Sequence, residues 1–424
     1  MTWAGRLGIV GLGQISMQLI GLCAGILVAR LLSVDQYAYY ALAIAFLTSI
    51  NVTSESGLSS QVVAIASRRM PDRTGFGGLF ALANRYRRRI ALAFTAAGAP
   101  TLYILLTLNG ADIATAASLV AVVVLTIFSA ISVTLASSSL SLFYRFGPIQ
   151  AAGIAASVGR LAGSALLIAL STVGALVPLM ANWLSTLGQS VALRRSLSRE
   201  VDLNDKRQRG DDALELRRAI ARLLPVNLIL VIQSQGVALF LGVVGATVVL
   251  AQVTAVSRYT LVFGFVSTIL VSALAPGFAR YRRSASRTLA LYGALVGCAT
   301  AVLAAALAVM QIAAPFLLGL LGDSYQGLQA EYAILNLGGA VGAVGAAATG
   351  FNLARGWIRG AWLMIPATIV WAVLAFTLAD VTTAIGASIL IATSYLPTLA
   401  TATLQATLGL RRMGPGNDAA QMKS

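Results

Sequence analysis

Runs of about twenty apolar or small residues recur along the 424-residue chain, and a run of that length coiled as a helix matches the hydrocarbon thickness of a bilayer. Hydrophobic residues make up 58% of the chain and charged residues only 10%. A soluble protein carries roughly a quarter charged residues, with apolar positions spaced periodically rather than in continuous blocks. The sequence therefore reads as an all-α polytopic membrane protein. Breaking the hydropathy pattern at charges, Gly/Pro and polar clusters gives twelve spans, over 7–29, 38–66, 90–109, 113–142, 149–170, 173–193, 223–244, 247–279, 288–318, 329–354, 357–378 and 382–408. The first run, from Leu7 to Val28, is longer than a signal-peptide core and lacks a small-residue cleavage pattern, so it reads as an uncleaved span.

The formal charge of +16 would point to nucleic acid in a soluble protein. Here the basic residues fall in short loops on one side of the spans, the pattern of the positive-inside rule. With both termini cytoplasmic, 27 of the 30 Lys and Arg residues face inside, including seven in 67–89 and nine in 194–222. No nucleic-acid partner is expected. Arg30, Arg160 and Arg258 remain unplaced, and of the 14 acids only Glu55 falls within a span.

The segment Leu27–Ala43 aligns without gaps on Leu239–Ala255, an offset of 212 residues. This predicts two six-helix halves, 1–193 and 223–410, related by a pseudo-twofold axis along the membrane normal. Residues 194–222 form a cytoplasmic linker whose 212–222 portion reads as an amphipathic surface helix. Residues 411–424 form a cytoplasmic tail.

The stretches "GILVARLLSVDQYAYYALAIAF", "VSRYTLVFGFVSTILVSALAPGFARY" and "LLGDSYQGLQAEYAILNLGG" resemble the polysaccharide-exporter branch of the MOP flippase superfamily, the branch of Wzx-type O-antigen and exopolysaccharide flippases. The resemblance covers nearly the whole chain in span number, half-repeat and loop placement. It implies a bacterial inner-membrane protein that is not an enzyme. Such a protein moves an undecaprenyl-diphosphate-linked glycan to the periplasmic leaflet by alternating access, alongside a polysaccharide polymerase and a chain-length regulator. One departure is "GATVVLAQVTA" after the seventh span, where the family commonly shows a Gly-x-Tyr-like signature, so residue roles are not transferred to the second half on sequence alone.

The membrane charges are the candidate site. Arg160 lies 12 residues after Pro148 and Glu55 lies 13 residues before Arg68, which puts both about 18 to 20 Å from the basic face at the helical rise. Equal depth allows a structural Glu55–Arg160 ion pair. It equally allows an Arg160 that binds a diphosphate through its planar donor fork, with Glu55 as the ion-coupling candidate. Arg258 matches the position of a basic residue often seen in the family and reads as cavity-lining. Arg30, at the end of the first span, reads as an outer headgroup anchor or a further cavity residue. Gln14 and Gln18 share one helix face and could bind sugar hydroxyls or hydrogen-bond between helices, as could Gln233 and Gln235.

Gly338, Gly342, Ala346 and Gly350 predict a packing ridge, and Tyr37, Tyr39 and Tyr40 an interfacial aromatic belt. Histidine is absent, Cys23 and Cys298 are isolated, and no phosphate-binding loop occurs, so neither metal nor cofactor is expected. Two other functions fit twelve spans: a multidrug or metabolite antiporter, which would be expected to place acids rather than arginines in its cavity, and a non-transporting scaffold for polysaccharide assembly.

Overall fold

The computed structural model describes residues 3–68, 75–169, 174–203, 205, 210–281, 284–357 and 360–411. These are built of α-helices and short 3-10 turns. In order, the helices are α1 (Trp3–Leu31), α2 (Val34–Glu55), α3 (Leu58–Ser67), α4 (Phe76–Leu108), α5 (Ile113–Leu142), α6 (Phe146–Ala169), α7 (Leu176–Ser198) and α8 (Gly210–Val244). They continue as α9 (Thr247–Ser257), α10 (Leu261–Arg280), α11 (Ala285–Ile312), α12 (Ala314–Leu321), α13 (Gln329–Ala354), α14 (Met364–Leu378), α15 (Ala384–Thr393) and α16 (Leu396–Arg411).

Each of the twelve expected segments contains helix, and 113–142 and 329–354 match α5 and α13 to the residue. Among the described residues, nine helical segments are long and apolar enough to cross a membrane. The helices α6, α7 and the 15-residue α14 fall outside those nine. The tail beyond Arg411 lies outside the described residues.

The chain divides into two compact units, Met1–Ala251 and Gln252–Ser424. In the first, several helices run past the expected membrane limits. α4 begins at Phe76 rather than at residue 90, and α8 begins at Gly210 rather than at 223. The reason is a separate apolar core at the basic end, where Leu58, Val62 and Ile65 of α3 meet Phe76 and Leu79 of α4, Leu140 of α5, Leu193 and Leu197 of α7 and Leu216 of α8. Apolar burial of this kind stabilises helical extensions outside lipid.

The 212–222 stretch is therefore not a helix lying on the membrane surface. It is the first part of α8, and its apolar stripe, including Leu216 and Ile220, packs into this core. Ion pairs Arg68–Glu215 and Arg145–Glu200 surround it.

The corners around the proposed repeat recur at its own offset. α1 ends at Leu31 and α2 begins at Val34, while α8 ends at Val244 and α9 begins at Thr247. Positive φ angles occur at Gly110 (94°) and Tyr144 (55°), and again 212 residues on at Gly322 (112°) and Gly356 (69°). One of these corners is tied by a buried amide. Asn109 donates from Nδ2 to the carbonyls of Leu105 and Gly242, each at 2.7 Å, and its Oδ1 accepts from the Thr247 hydroxyl at 3.0 Å.

The Asn109 carbonyl accepts from Tyr39 Oη at 3.2 Å. Tyr37 and Tyr39 are 0% and 5% exposed, so they are core residues and not a lipid-facing belt. Close packing of α2 on α4 and α5 removes them from the interface their position along α2 suggested.

In the second unit, α10, α11, α13 and α16 pack through Phe278, Phe351, Ala299 and Ala347. Gly338 abuts Ala392 and Gly342 abuts the Tyr395 ring so closely that no Cβ would fit without a shift. The ridge then continues through Gly345 rather than Ala346, which is exposed, because the next contact along a helix falls three residues on as readily as four.

Candidate functional site

The expected second span breaks at Ser56 and Gly57, whose φ angles are 37° and 71°. The cause is local. Hydroxyls of Ser54 and Ser56 bond back to the carbonyls of Asn51 and Thr53, competing with the helix ladder. Gly57 then adopts the left-handed conformation at no steric cost.

Glu55 ends α2, and its Oε1 accepts from the Ser59 N–H at 3.0 Å. The carboxylate thus sits at the N-terminal end of α3, where the helix dipole favours negative charge.

The cation that meets Glu55 is Arg87. Its Nη1 lies 3.0 Å from Glu55 Oε2, with the arginine side chain 2% exposed and the glutamate 24%. Arg87 also donates to the Ile131 carbonyl at 2.8 Å and to Thr134 Oγ1 at 3.5 Å, which ties α4 to α5. The pair is not saturated: Arg87 Nε, Glu55 Oε2, Ser59 Oγ and Asn51 Oδ1 are buried without a hydrogen-bond partner. The 3.0 Å contact is electrostatic, without the alignment of a directed hydrogen bond.

The expected Glu55–Arg160 pair is thereby corrected. Arg160 donates from Nη2 to Ser157 Oγ at 3.0 Å and interacts electrostatically with Tyr40. Tyr40 and Glu55 are fifteen residues apart on α2, about 22 Å along the axis.

The depth of Glu55 was misjudged because it was counted upward from Arg68, which ends a helical extension lying beyond the bilayer. Counted from the opposite end, the 22 residues of α2 span about 33 Å, a full hydrocarbon thickness. The same boundary follows from α4, whose apolar stretch Ile90–Leu108 begins three residues after Arg87. The Glu55–Arg87 pair lies at the membrane edge of the basic end.

Arg160 is half-buried on α6 and, among the described residues, has no carboxylate within ion-pair distance. It faces away from an apolar groove of about 670 Å³ that Gly159, Gly163 and Leu166 of the same helix form with α7. Gln14 and Gln18 are exposed on α1 and flank Gly13 and Met17, which meet Gln150 and Gly153 of α6. Arg30 is exposed in the last turn of α1. In the second unit, Arg258 opens the 3-10 turn Arg258–Thr260 between α9 and α10 and is half-buried and engaged.

Arg87 was absent from the sequence-derived site because it sits in the run "RYRRR", which reads as one loop cluster. A signal was present: on a helix, Arg85, Arg88, Arg89 and Leu92 share one face and Arg87 does not.

Helices of this number, length and order, with unpaired arginine rather than acid inside the first unit, define a multi-pass membrane protein with the fold of the MOP superfamily. The fold is similar to that of an inward-facing multidrug-resistance MATE-family transporter of that superfamily, at TM-score 0.67 and 15% identity over 94% of each chain. It is also similar to the lipid II flippase MurJ in an inward closed conformation, at TM-score 0.71 and 11% identity over 97% of this chain and 90% of that one. A third similar structure is MATE in the bent conformation, at TM-score 0.62 and 16% identity over 96% and 93% of the two chains. No family model and no curated protein matches the sequence.

Proposed function

We propose that this chain is a flippase that carries a polyprenyl-diphosphate-linked glycan across the bacterial inner membrane, with both termini cytoplasmic, by alternating access of two six-helix halves. The observation that carries this reading is the charge of the first unit's interior. Glu55 is neutralised by Arg87 at the membrane edge, whereas Arg160 retains no acidic partner among the described residues. An unpaired guanidinium held at that depth by one serine is costly unless an anion or water meets it. A diphosphate supplies two oxygens to the planar fork, and the polyprenyl tail stays in lipid.

In this scheme Arg160 attracts the diphosphate head, Arg258 contributes a second cation, Arg30 holds the outer headgroup level, and Gln14 and Gln18 bind sugar hydroxyls. Glu55 is the coupling carboxylate: a proton taken up there would release Arg87 and loosen the α2–α3 break. A polymerase and a chain-length regulator would take the glycan from the far side.

The competing reading is a cation-drug antiporter, favoured by the MATE likeness of the fold. It would need an acid available to the drug, and Glu55, the one acid within the spans, is already paired. Reconstituted vesicles with a fluorescent polyprenyl-diphosphate sugar, assayed beside cationic-dye efflux, separate the two. Arg160→Ala is expected to abolish flipping and Arg160→Lys to leave a fraction of it, with insertion unchanged. Dye efflux by the parent protein, or full flipping by Arg160→Ala, would refute the proposal.

A further inference from the structure

A second cationic feature lies in the first unit, on the other face of the helix that carries Arg87. Arg85, Arg88 and Arg89 of α4 and Arg194 of α7 line a cavity of about 440 Å³, together with Asn84 and Phe128. None of these arginines has a carboxylate partner among the described residues, although Arg68 and Arg145 nearby are paired. Four guanidiniums around one opening repel each other, and an arrangement of this kind is stable when an anion lies between them.

The cavity also holds a polar group with nothing to bond to. Asn84 is 8% exposed and its Oδ1 is buried without a partner. The two ends of a side-chain amide are interchangeable by rotation, so Asn84 can turn its NH2 donor into the cavity when an acceptor arrives.

The location identifies the anion's source. The apolar part of α4 starts at Ile90, one residue above Arg89, and Leu92, which lines the same cavity, is 59% exposed. The arginines therefore stand at headgroup level, with Leu92 and Phe128 continuing toward the hydrocarbon. Soluble anions need no such apolar ramp, whereas a phospholipid needs both parts.

We infer that this cavity is a binding site for the headgroup of an anionic phospholipid of the leaflet at the basic end, with two phosphates shared among Arg85, Arg88, Arg89 and Arg194. Each phosphate takes a bidentate pair of guanidiniums, so four arginines match two phosphates. The Asn84 amide donates to a phosphate oxygen, and the acyl chains lie along Leu92 and Phe128. The site is independent of what the protein transports, since Arg160 is on a different helix and does not line it.

The test is native mass spectrometry of the full chain, delipidated in mild detergent and titrated with separate probes. These are diphosphatidylglycerol, phosphatidylglycerol, phosphatidylcholine, a short-chain polyprenyl diphosphate and inorganic pyrophosphate. Diphosphatidylglycerol is expected to bind tightest and phosphatidylcholine weakest. Each Arg→Gln change among the four arginines is expected to weaken diphosphatidylglycerol by about fivefold. Arg195→Gln and Arg218→Gln, on exposed arginines outside the cavity, should leave it unchanged. Asn84→Asp supplies the arginines with an internal carboxylate, so the fold is retained and lipid binding is lost.

Unchanged affinity after removing all four arginines would overturn the inference, as would equal losses from the two control changes. Pyrophosphate binding as tightly as the lipid would assign the site to a free anion. Tighter binding of the polyprenyl diphosphate would assign it to the transported substrate. Either result overturns the phospholipid reading.

Discussion

The Glu55–Arg87 pair predicts an unequal response to loss of its two members. At 3.0 Å separation and an effective dielectric of about 20, the attraction is on the order of 5 kcal/mol, offset by the desolvation of both groups. The offsets differ. Arg87 is 2% exposed and Glu55 is 24% exposed, and the glutamate keeps the Ser59 N–H if its partner is removed. Glu55→Gln therefore leaves a buried guanidinium with an unpartnered Nε and should destabilise by about 3 kcal/mol. Arg87→Met leaves a carboxylate that water can reach and should cost about 1 to 2 kcal/mol. The double variant, with neither charge, should resemble Arg87→Met rather than the sum of the single changes.

The measurement is an SDS titration in mixed micelles followed by far-UV circular dichroism for the four proteins of the cycle. Greater damage from Arg87→Met than from Glu55→Gln would refute the assignment of burial to the arginine. Additive losses would show that the two groups are not coupled.

Three further outcomes are expected. Asn109→Ala removes two donated bonds and one accepted bond at a buried corner, so the same titration should show a loss of about 2 to 3 kcal/mol; a loss below 0.5 kcal/mol would mean that the corner is not held by the amide. Gly57→Ala places a Cβ against Leu223 Cδ1 at a φ of 71°. It should lower the thermal midpoint in detergent, and Leu223→Ala should restore only the steric part, leaving the cost of the left-handed conformation. At the other end of the molecule, hydrogen bonds from the Thr115 side chain and backbone N–H hold the Asp112 carboxyl below its ordinary value of 3.8. A depressed pKa in the folded state means that this cap stabilises α5 above the ordinary value and is lost as pH falls through the lowered one. Thermal midpoints followed from pH 5 to pH 2.5 should therefore drop less steeply in Asp112→Ala than in the parent.

Much of the architecture could be read directly. Two spans matched their helices to the residue, and corners at an offset of 212 recurred in backbone angles as well as in sequence. The candidate site was partly legible. Arg160 was correctly singled out as an arginine without a place on the basic face, because a lone charge in an apolar run stands out against its own neighbours. Its proposed partner was wrong, because depth was counted from a charge, Arg68, that ends a helix beyond the bilayer.

What the sequence by itself determined is what depends on residues close in the chain: helical spans from uninterrupted apolar length, orientation from basic loops, and the break at Ser56–Gly57 from hydroxyls that compete with the backbone. Tertiary structure alone decided which charges are buried and which meet. Arg85, Arg87, Arg88 and Arg89 are chemically identical neighbours, yet Arg87 turns into the protein toward Glu55 while the other three line an open cavity. Helix rotation sorts them onto two faces, and the helices that pack against each face set the dielectric and the partners. Those helices, α2, α5 and α7, come from distant parts of the chain, so no local reading of "RYRRR" could assign the four arginines their different roles.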